Sequence, residues 1–500
     1  MSTQYDYDVV VIGSGMGGLT CGTILAAEGM RVCVVEKGTV LGGCLQSFRR
    51  GRWLVDTGIH YVGSLQEGQV MHQYLKYLGV LPKLDIRSLD PAGFDRIYLA
   101  GREFRHAIGY DRFRETLLAD FPQEREGIDS YCQMLQYVGS SIAPDTLRLG
   151  KISSGGGIYF GMSAAKTIDL LVKDPLLRQV LAGTVQLYAG RREVSPLYHH
   201  AIITSSNVEG ASVFVGGTQL LADALADRIR SCGGELITRA EVTRLALSGD
   251  QISRVELNGG EHALTARWVI SDIAPAQTFK LLDSSSLLKR VFLNRLQALP
   301  NTYGFFSVYL LMRQGAMPNR HCNLYLYNSS DVWNLDAEFE NCKLPVVVVS
   351  IQPATDNQWA DVVSLLVPMS FDQVAAWAGT RSGRRGESYE QFKARYAEAT
   401  IRFAEQFVPG LRRAAAEIYT STPLTYLDYT SVPEGSAYGL QKDFNRPLSS
   451  MIPIRSRISN LLLTGQNLNV HGMLGVTVSA AFTCSELLGE EYLAKKIGYA

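Results

Sequence analysis

Three glycines and one acidic residue near the beginning of the chain have the spacing of a dinucleotide-binding site. Gly13, Gly15 and Gly18 form a Gly-x-Gly-x-x-Gly turn. Gly13 permits a sharp turn, Gly15 lets a pyrophosphate approach the backbone, and Gly18 allows a helix to pack closely against a sheet. Glu36 follows 18 residues after Gly18. A carboxylate at that position can accept hydrogen bonds from ribose hydroxyls and would repel a 2′-phosphate.

The elements that must position these residues are a strand, a helix and a second strand. A β-branched run at 9–12 precedes the glycine turn, and an apolar helical pattern then extends to Gly29. A second strand at 32–35 ends directly before Glu36. The free N–H groups and the dipole at the beginning of the helix favour negatively charged phosphates. The pattern is typical of a dinucleotide-binding βαβ unit, whereas a purely structural glycine turn would not account for Glu36.

Composition indicates an ordinary globular protein of two or three domains. The chain has 500 residues, of which 46% are hydrophobic and 19% are charged, and its formal net charge is zero. This length is sufficient for a large core. There is no basic stripe that would attract nucleic acid, so nucleic acid is not expected as a partner.

The cysteines and the uncharged stretches carry no sign of a metal site, a disulfide framework or a membrane span. None of the eight cysteines forms a close ligand pair, so we expect reduced thiols in a cytoplasmic protein and no metal. The first strand begins within ten residues of Met1, so no signal peptide is predicted. The stretches 9–27 and 458–485 contain glycine turns, and the second also contains polar residues, so neither is predicted to span a membrane.

The segment after Glu36 has the composition of a chain that doubles back along a bound cofactor. Gly42 and Gly43 allow a close approach of the backbone, and residues 56–61 would then run beside the cofactor ring. The stretch 42–63, GGCLQSFRRGRWLVDTGIHYVG, resembles the corresponding stretch of the flavoprotein family of phytoene desaturases, carotenoid isomerases and retinol saturases. Many relatives carry arginine after the glycine pair, and Cys44 at this position moves the resemblance toward retinol saturase-like members.

The resemblance implies that the first βαβ unit binds FAD. The glycine pair and the Asp-x-Gly-x-His segment would lie against FAD, and Arg49 or Arg50 is a candidate for the cation facing its pyrophosphate. The stretch 460–489 resembles the C-terminal FAD motif of the family, and Gln466 and Asn467 replace its acidic residue with neutral hydrogen-bonding groups. A helix beginning near residue 473 would direct its positive end at the pyrimidine edge of the flavin.

Motifs and resemblance together give a set of residues expected to contact the cofactor. Val242 belongs to it because the returning strand of the family lies by the adenine. The full set is Gly13, Gly15, Met16, Gly17, Gly18, Glu36, Lys37, Gly42, Gly43, Ser47, Gly58, Ile59, His60, Val242, Gly465, Gln466, Asn467, Gly472, Leu474, Gly475 and Val476.

Periodicity and resemblance divide the chain into two interleaved domains. We predict an α/β protein with a discontinuous Rossmann-like FAD-binding domain of the GR2 type, formed by residues 1–80, 215–284 and 450–500. Residues 81–214 and 285–449 would form an α+β substrate-binding domain. The first of these segments has mainly helical spacing, for example at 111–121 and 126–138, with a Gly/Ser loop at 153–157.

Residues 285–449 contain strong strand patterns that predict an antiparallel sheet beside an apolar substrate pocket. The patterns lie at 305–312, 345–351 and 362–368, and a helix is predicted at 389–407. The aromatic candidates for the pocket lining are Tyr303, Phe305, Tyr309, Tyr325 and Tyr327. A place in the core is the alternative for each of them.

The resemblance implies FAD-dependent chemistry on C=C bonds of a hydrophobic polyene or isoprenoid. Retinol saturase-like proteins reduce one double bond, carotenoid isomerases use reduced FAD without net electron turnover, and phytoene desaturases oxidise. We predict a saturase resembling a retinol 13,14-reductase, with a cis–trans isomerase or a desaturase as alternatives. No second Gly-x-Gly-x-x-Gly unit follows a strand, so NAD(P)H or another external donor would have to supply the electrons.

Adding a hydride to one carbon of a double bond requires a proton donor for the other carbon. His60, Tyr61 and His471 are the candidates, since both side-chain types can donate. A structural side chain is the alternative for each histidine.

Two rival functions use the same kind of fold. One is an amine oxidase-like flavoprotein, and the other is a prenyl-lipid binding module like the Rab GDP-dissociation inhibitors. The latter have degenerate flavin motifs, whereas the glycine turn and Glu36 are intact here. An apolar substrate would bring peripheral contact with a membrane surface, although no basic amphipathic helix argues for it. The sequence contains no feature from which an oligomeric state could be predicted.

Overall fold

The computed structural model describes residues 5–152, 157–335 and 344–500. The strands are β1 (Tyr7–Ile12), β2 (Val32–Val35), β3 (Ser47–Arg50), β4 (Trp53–Asp56), β5 (Asp85–Ser88), β6 (Asp95–Leu99), β7 (Arg102–His106), β8 (Ser212–Val215), β9 (Glu235–Ile237), β10 (Val242–Ser248), β11 (Gln251–Leu257), β12 (His262–Leu264), β13 (Ala266–Ser271), β14 (Gly304–Met312), β15 (Asn323–Tyr327), β16 (Val346–Pro353), β17 (Ala360–Met369), β18 (Ala415–Ser421) and β19 (Leu461–Leu463).

The helices alternate with these strands and end in a C-terminal pair. They are α1 (Met16–Ala27), α2 (Val70–Tyr77), α3 (Tyr110–Asp120), α4 (Arg125–Ser140), α5 (Pro144–Arg148), α6 (Ala164–Leu171), α7 (Pro175–Leu181), α8 (Leu197–Gly210), α9 (Gln219–Ser231), α10 (Pro275–Lys280), α11 (Arg290–Gln297), α12 (Glu387–Glu405), α13 (Leu411–Ala414), α14 (Pro423–Thr430), α15 (Pro447–Ser450), α16 (Gly472–Leu488) and α17 (Glu490–Gly498).

A five-stranded parallel sheet positions the glycine turn and Glu36. Its strand order is β19-β13-β1-β2-β9, and every adjacent pair is parallel. Helices α1, α9 and α16 pack on one face through buried side chains such as Leu19, Leu221 and Ala480. Because both faces of a parallel sheet are covered, β2 is buried along its whole length. The predicted α/β, Rossmann-like fold is confirmed, including the βαβ unit.

All five strands of this sheet come from the segments 1–80, 215–284 and 450–500, as a discontinuous nucleotide domain requires. The strand predicted before residue 473 is β19, and the helix that follows is α16. The exact domain boundaries stay a prediction.

A second, seven-stranded sheet has the order β18-β14-β17-β16-β15-β6-β7. Its pairs are antiparallel except for β15 and β6, which run parallel. The three strand patterns predicted in 285–449 are confirmed as β14, β16 and β17, and the helix predicted beside them is α12. The same core cluster contains Phe306, Val349 and Phe392, so α12 covers one face of this sheet.

The expectation that residues 81–214 are mainly helical was incomplete. Helices α3 and α4 are confirmed, but β6 and β7 from this segment belong to the seven-stranded sheet, and β5 pairs with β8. Strands β6 and β7 are each five residues long and contain several charged residues, so their apolar alternation is too short to give a strong signal. The loop predicted at 153–157 lies outside the described residues except for Gly157.

Within the described ranges, no helix combines the length and the apolar character that crossing a membrane requires. Those ranges also contain no group of three or more His, Cys, Asp or Glu side chains arranged to hold a metal ion. Seven cysteines are described, and all seven are free thiols, while Cys342 lies outside the described residues.

Candidate functional site

Two cavities share a wall between the parallel sheet and the seven-stranded sheet. The larger, which we call the nucleotide cavity, has a volume of about 450 Å³ and contains the glycine turn and Glu36 in its lining. The smaller, which we call the apolar cavity, has a volume of about 170 Å³. The residues that line both are Cys44, Gly58, Ile59, Thr430, Ala437, Tyr438, Gly472 and Met473. A molecule that filled the nucleotide cavity would therefore border the apolar cavity.

The glycine turn is closed so tightly that side chains would not fit at two of its positions. Gly13 has a φ of +93°, a conformation that favours glycine. A Cβ atom on Gly18 would lie 2.0 Å from the carbonyl oxygen of Gly13. A Cβ atom on Gly15 would lie 2.7 Å from Oδ2 of Asp272. Glycine at these positions is thus a steric requirement of the turn.

The Glu36 carboxylate is oriented at the end of β2 by three hydrogen bonds. Its Oε2 accepts the backbone N–H of Ser14 at 3.1 Å and the Ser14 hydroxyl at 2.6 Å. Its Oε1 accepts the backbone N–H of Gly38 at 2.7 Å. Three of about four lone-pair sites of the carboxylate are thus occupied, and the remaining site on Oε1 is free for a ribose hydroxyl.

The beginnings of α1 and α16 both open into the nucleotide cavity. Neither helix has a side chain that caps its N-terminus, and Met16, Gly17, Gly472 and Met473 line the cavity. The first N–H groups of such helices have no intrahelical acceptor, and the helix dipole adds positive potential there. Glycine turn, oriented carboxylate and two uncapped helices together fit a dinucleotide.

The structure places most of the predicted cofactor residues in these cavity walls. The nucleotide cavity is lined by Gly13, Gly15, Met16, Gly17, Glu36, Lys37, Gly42, Gly43, Gly58, Ile59, Val242, Gln466, Asn467, Gly472 and Val476. The apolar cavity is lined by His60, Leu474 and Gly475. The remaining three residues, Gly18, Ser47 and Gly465, line neither cavity.

Two of the residues predicted to contact the cofactor, Ser47 and Asn467, form hydrogen bonds within the protein. The Ser47 hydroxyl donates to Oδ1 of Asp56 at 2.6 Å. The same carboxylate oxygen accepts the backbone N–H of Thr218 at 3.0 Å. Asp56 therefore fixes the hairpin of β3 and β4 to the segment before α9 and lies outside both cavity walls, whereas the sequence placed it beside the ring. The Asn467 Oδ1 atom accepts the backbone N–H of Leu440 at 3.0 Å.

The cation expected near the pyrophosphate is not Arg49 or Arg50. Neither lines the nucleotide cavity, and the guanidinium of Arg50 lies over the rings of Phe48 and Tyr419, 5.1 and 5.2 Å from their centroids. The described cationic side chains in the cavity lining are those of Lys37 and Lys280. Lys280 is at the end of α10, a helix that sequence analysis did not assign.

Sequence analysis also missed Asp272, which follows β13 and lies against the glycine turn. Burial raises the pKa of Asp272 to about 7, although a backbone hydrogen bond from Gly18 acts in the opposite direction. A signal was present, because ligands of parallel sheets bind at the carboxyl ends of the strands, and Asp272 is the first residue after one.

The three proton-donor candidates His60, Tyr61 and His471 all line the apolar cavity. Burial lowers the pKa of His60 to about 4 and that of His471 well below its ordinary value, so both imidazoles are neutral at pH 7. The His471 ring lies 5.0 Å from that of His199 and 4.6 Å from that of Tyr438. Its Nδ1 atom is buried and has no hydrogen-bond partner in the part of the chain that the structure describes.

Tyr61 differs from the two histidines because it is bonded to a buried carboxyl group. Its hydroxyl lies 2.7 Å from Oδ2 of Asp95 and 2.8 Å from the hydroxyl of Tyr325. Asn323 donates from Nδ2 to Oδ1 of Asp95 at 3.0 Å. Asp95 and Asn323 face each other because β6 and β15 pair in parallel register. Asp95 had no place in the sequence analysis.

Two of the five aromatic candidates reach the apolar cavity. Phe305 and Tyr325 line it, whereas Tyr303, Tyr309 and Tyr327 do not. The Tyr327 hydroxyl donates to the carbonyl of Gly183 at 2.9 Å, which makes it a satisfied core side chain.

A model of NAD(P)-binding Rossmann-like domains matches residues 11–78. The all-trans-retinol 13,14-reductases of Macaca fascicularis and Homo sapiens are each 27% identical to this chain, over 96% of it and 85% of their own length. Prolycopene isomerase 1, chloroplastic, of an Oncidium hybrid cultivar is 22% identical over 98% of this chain and 85% of its own length. The predicted family resemblance is confirmed, since the homologues are retinol reductases and prolycopene isomerases.

Solved structures share the fold at low sequence identity. An oxidoreductase from Methanosarcina mazei has a TM-score of 0.63 at 15% identity, covering 94% of this chain and 98% of its own. Cyclohexylamine oxidase from Brevibacterium oxydans has a TM-score of 0.59 at 17% identity, covering 97% of this chain and 100% of its own. The two-sheet architecture is thus common to oxidoreductases of diverged sequence.

Proposed function

We propose that this chain is a flavin-dependent oxidoreductase that saturates one C=C bond of a hydrophobic polyene, in the manner of a retinol 13,14-reductase. The observation that carries the proposal is the wall shared by the nucleotide cavity and the apolar cavity. Hydride transfer requires the two reacting groups to be in contact, and this wall is where a ring and an apolar chain would meet. The retinol reductase homologues support the same choice of reaction.

We propose FAD as the resident cofactor. Glu36 would hold its ribose, the beginning of α1 and the pair Gly42–Gly43 its pyrophosphate, and Val242 would lie by its adenine. The beginning of α16 would face the pyrimidine edge. Bound FAD supplies hydride chemistry. The external electron donor, NAD(P)H or another two-electron reductant, is part of the proposal.

The residues of the apolar cavity would bind and orient the polyene and keep water away from it. Ile202, Phe305 and Leu366 contribute apolar surface to the lining. Of the three donor candidates, we propose Tyr61 as the residue that delivers a proton to the second carbon, because the two histidines are neutral and Tyr61 has an acid behind it.

A cis–trans isomerase is the second candidate. The prolycopene isomerase homologue favours it, and the same two cavities would serve it. The two functions differ in the product, because saturation adds two hydrogen atoms and isomerisation adds none. Peripheral contact with a membrane surface is proposed from the apolar substrate alone, and the cytoplasmic location stays a prediction.

The test begins with the purified protein. We expect the protein to contain bound flavin with an absorption band at about 450 nm. After anaerobic reduction with dithionite, all-trans retinol and carotenoids are added singly, and flavin reoxidation is followed together with product mass. Reoxidation with a product two hydrogens heavier supports the saturase, and a product of unchanged mass supports the isomerase. A protein that takes up no flavin on reconstitution would overturn both.

A further inference from the structure

A buried carboxyl group lies directly behind one wall of the apolar cavity. Tyr61, Tyr325 and Asn323 line the cavity. Asp95 is hydrogen-bonded to Tyr61 and to Asn323, and Tyr325 is hydrogen-bonded to Tyr61. Asp95 itself is not part of the cavity lining and is only 1% exposed. A proton held on Asp95 would thus be one hydroxyl group away from the cavity.

The surroundings of Asp95 favour its protonated form. Asp95 forms no ion pair with the described residues, since the neighbouring Arg96 pairs with Asp90 instead. Its hydrogen-bond partners are the hydroxyl of Tyr61 and the amide of Asn323, which are both neutral. Burial raises the pKa of Asp95 to about 7, although the hydrogen bonds from Tyr61 and Asn323 act in the opposite direction. The carboxyl group therefore exchanges a proton near neutral pH.

The other titratable groups around Asp95 do not compete for this role. His106 is opposite it in β7, and burial lowers the pKa of that imidazole to about 4. Cys322 precedes Asn323, and burial raises the pKa of its thiol to about 11. Arg96 follows Asp95 in sequence and pairs with Asp90 at 3.1 Å. Near pH 7 the group in this cluster that gains or loses a proton is Asp95.

The hydrogen-bond directions change with the charge of Asp95. An ionised carboxylate only accepts, so Tyr61 must then donate to it, and the hydroxyl of Tyr325 donates to the oxygen of Tyr61. A protonated Asp95 donates to that oxygen instead, and the hydrogen of Tyr61 turns to the hydroxyl of Tyr325 or to another acceptor in the apolar cavity, which Tyr325 also lines. Protonation of Asp95 thus directs the Tyr61 hydrogen toward the cavity.

We propose that Asp95 is a proton-supplying residue that acts through Tyr61, the catalytic donor. The inference rests on the proposed function and deepens it. The C=C bond gains a hydride from the reduced flavin on one carbon and the hydroxyl proton of Tyr61 on the other. Asp95 then returns a proton to the Tyr61 oxygen and is itself reprotonated from solvent. The electron pair originates from the external two-electron donor.

The kinetic test compares Tyr61→Phe and Asp95→Asn with Tyr327→Phe, a matched control. Tyr327 is on the same strand as Tyr325, has a buried and bonded hydroxyl, and lies outside the cavity lining. We expect polyene-dependent flavin reoxidation to slow by about 10²- to 10⁴-fold in Tyr61→Phe, while flavin content and dithionite reduction stay unchanged. Tyr327→Phe should stay within about threefold of the parent. Reoxidation by Tyr61→Phe at the parent rate would overturn the proposal.

The pH profile separates proton supply from packing. FAD is kept saturating, so that the pH-dependent affinity expected from Asp272 does not affect the rate. In the parent, the rate should then fall as pH rises through about 7, where Asp95 loses its proton. This fall in rate, the alkaline limb of the profile, should be absent in Asp95→Asn. If Asp95 had only a structural role, the substitution would lower the rate equally at every pH. A limb that persists in Asp95→Asn counts against the proposal. If Asp95→Asn does not fold, two other variants provide the same test. Tyr325→Phe should keep the fall in rate above about pH 7, and Tyr61→Phe should lack it.

An infrared titration tests Asp95 independently of activity. Because the pKa of Asp272 is also raised to about 7, the band is read from the difference between the flavin-loaded parent and Asp95→Asn, in which the signal of Asp272 cancels. This difference should contain a carboxylic acid band that disappears as pH rises through about 7 and that shifts when Tyr61→Phe is introduced. A protein that reduces no polyene but has this band contradicts the proposed function and leaves the proton-holding role of Asp95 standing. A parent without the band below pH 7 overturns that role, whatever its activity.

Discussion

The carboxylate of Glu36 accepts both the backbone N–H and the hydroxyl of Ser14, the residue between the first two glycines of the turn. The acid at the end of one strand is thereby tied to the loop at the end of the neighbouring strand. Ribose-binding and phosphate-binding groups consequently keep a fixed relative position before any ligand arrives.

Replacing Glu36 by alanine should weaken FAD binding by about 10- to 100-fold, because a charge-assisted hydrogen bond to the ribose and the orienting contacts to Ser14 and Gly38 would be lost. Equilibrium dialysis of the apoprotein against FAD measures the effect. Glu241→Ala is the control, since Glu241 also lines the nucleotide cavity but is exposed and pairs loosely with Lys37 at 4.0 Å. Equal losses in both variants would contradict the role assigned to Glu36.

Gly18→Ala should prevent stable formation of the glycine turn. The added Cβ would lie 2.0 Å from the carbonyl oxygen of Gly13, a backbone atom that cannot move aside without opening the turn. We expect a lower thermal unfolding midpoint and little bound flavin. Gly161→Ala, with no atom within 4 Å of its new Cβ and no positive φ, should behave like the parent.

Affinity for FAD should depend on pH through Asp272. The folded pKa of about 7 is above the ordinary value of 3.8, so the carboxyl is neutral below pH 7 and becomes negative above it. A negative charge beside the glycine turn repels phosphate, and affinity should drop by roughly tenfold per pH unit once the group is ionised. Titrations with FAD between about pH 6 and 8.5 should give a flat profile for Asp272→Asn. An unchanged slope in that variant would remove Asp272 as the cause.

Lys442→Met should destabilise the fold by an amount on the order of 3 kcal/mol. The buried Nζ of Lys442 donates to the carbonyl oxygens of Ser450, Asn467 and Leu468 at 2.7–2.8 Å. Methionine would remove all three hydrogen bonds, and only the carbonyl of Leu468 would keep another donor, the backbone N–H of Ile452 at 3.4 Å. Denaturant unfolding measures the loss. Lys173→Met, at an exposed position, should change the free energy of unfolding by less than about 0.5 kcal/mol.

The local parts of the site could be predicted from sequence because their residues are close together along the chain. The glycine turn, α1 and Glu36 lie within one βαβ unit, and their spacing carries the physical requirements of the ligand. The glycine pair at 42–43 follows directly. Residue type and distance were enough for these elements.

The acid behind the apolar cavity could not be predicted in the same way. Tyr61 and Tyr325 are 264 residues apart, and the hydrogen bond of Tyr61 to Asp95 lies where β6 pairs in parallel with β15, the strand that contains Tyr325. No local pattern encodes that pairing, and β6 is a short edge-region strand with charged residues. Asp272 was missed for a different reason, since it follows β13 at the carboxyl edge of the sheet but belongs to no motif in the sequence.

The order of strands in the parallel sheet has a consequence for synthesis on the ribosome. Strand β1 emerges first, but β19 and the beginning of α16, which close the same cavity, emerge last. A nascent chain thus carries an unfinished sheet edge until β19 has been synthesised, and the proposed cofactor can be enclosed only after β19 and the beginning of α16 have emerged. Polypeptides truncated by a premature stop ahead of β19 are expected to be colourless and prone to aggregation.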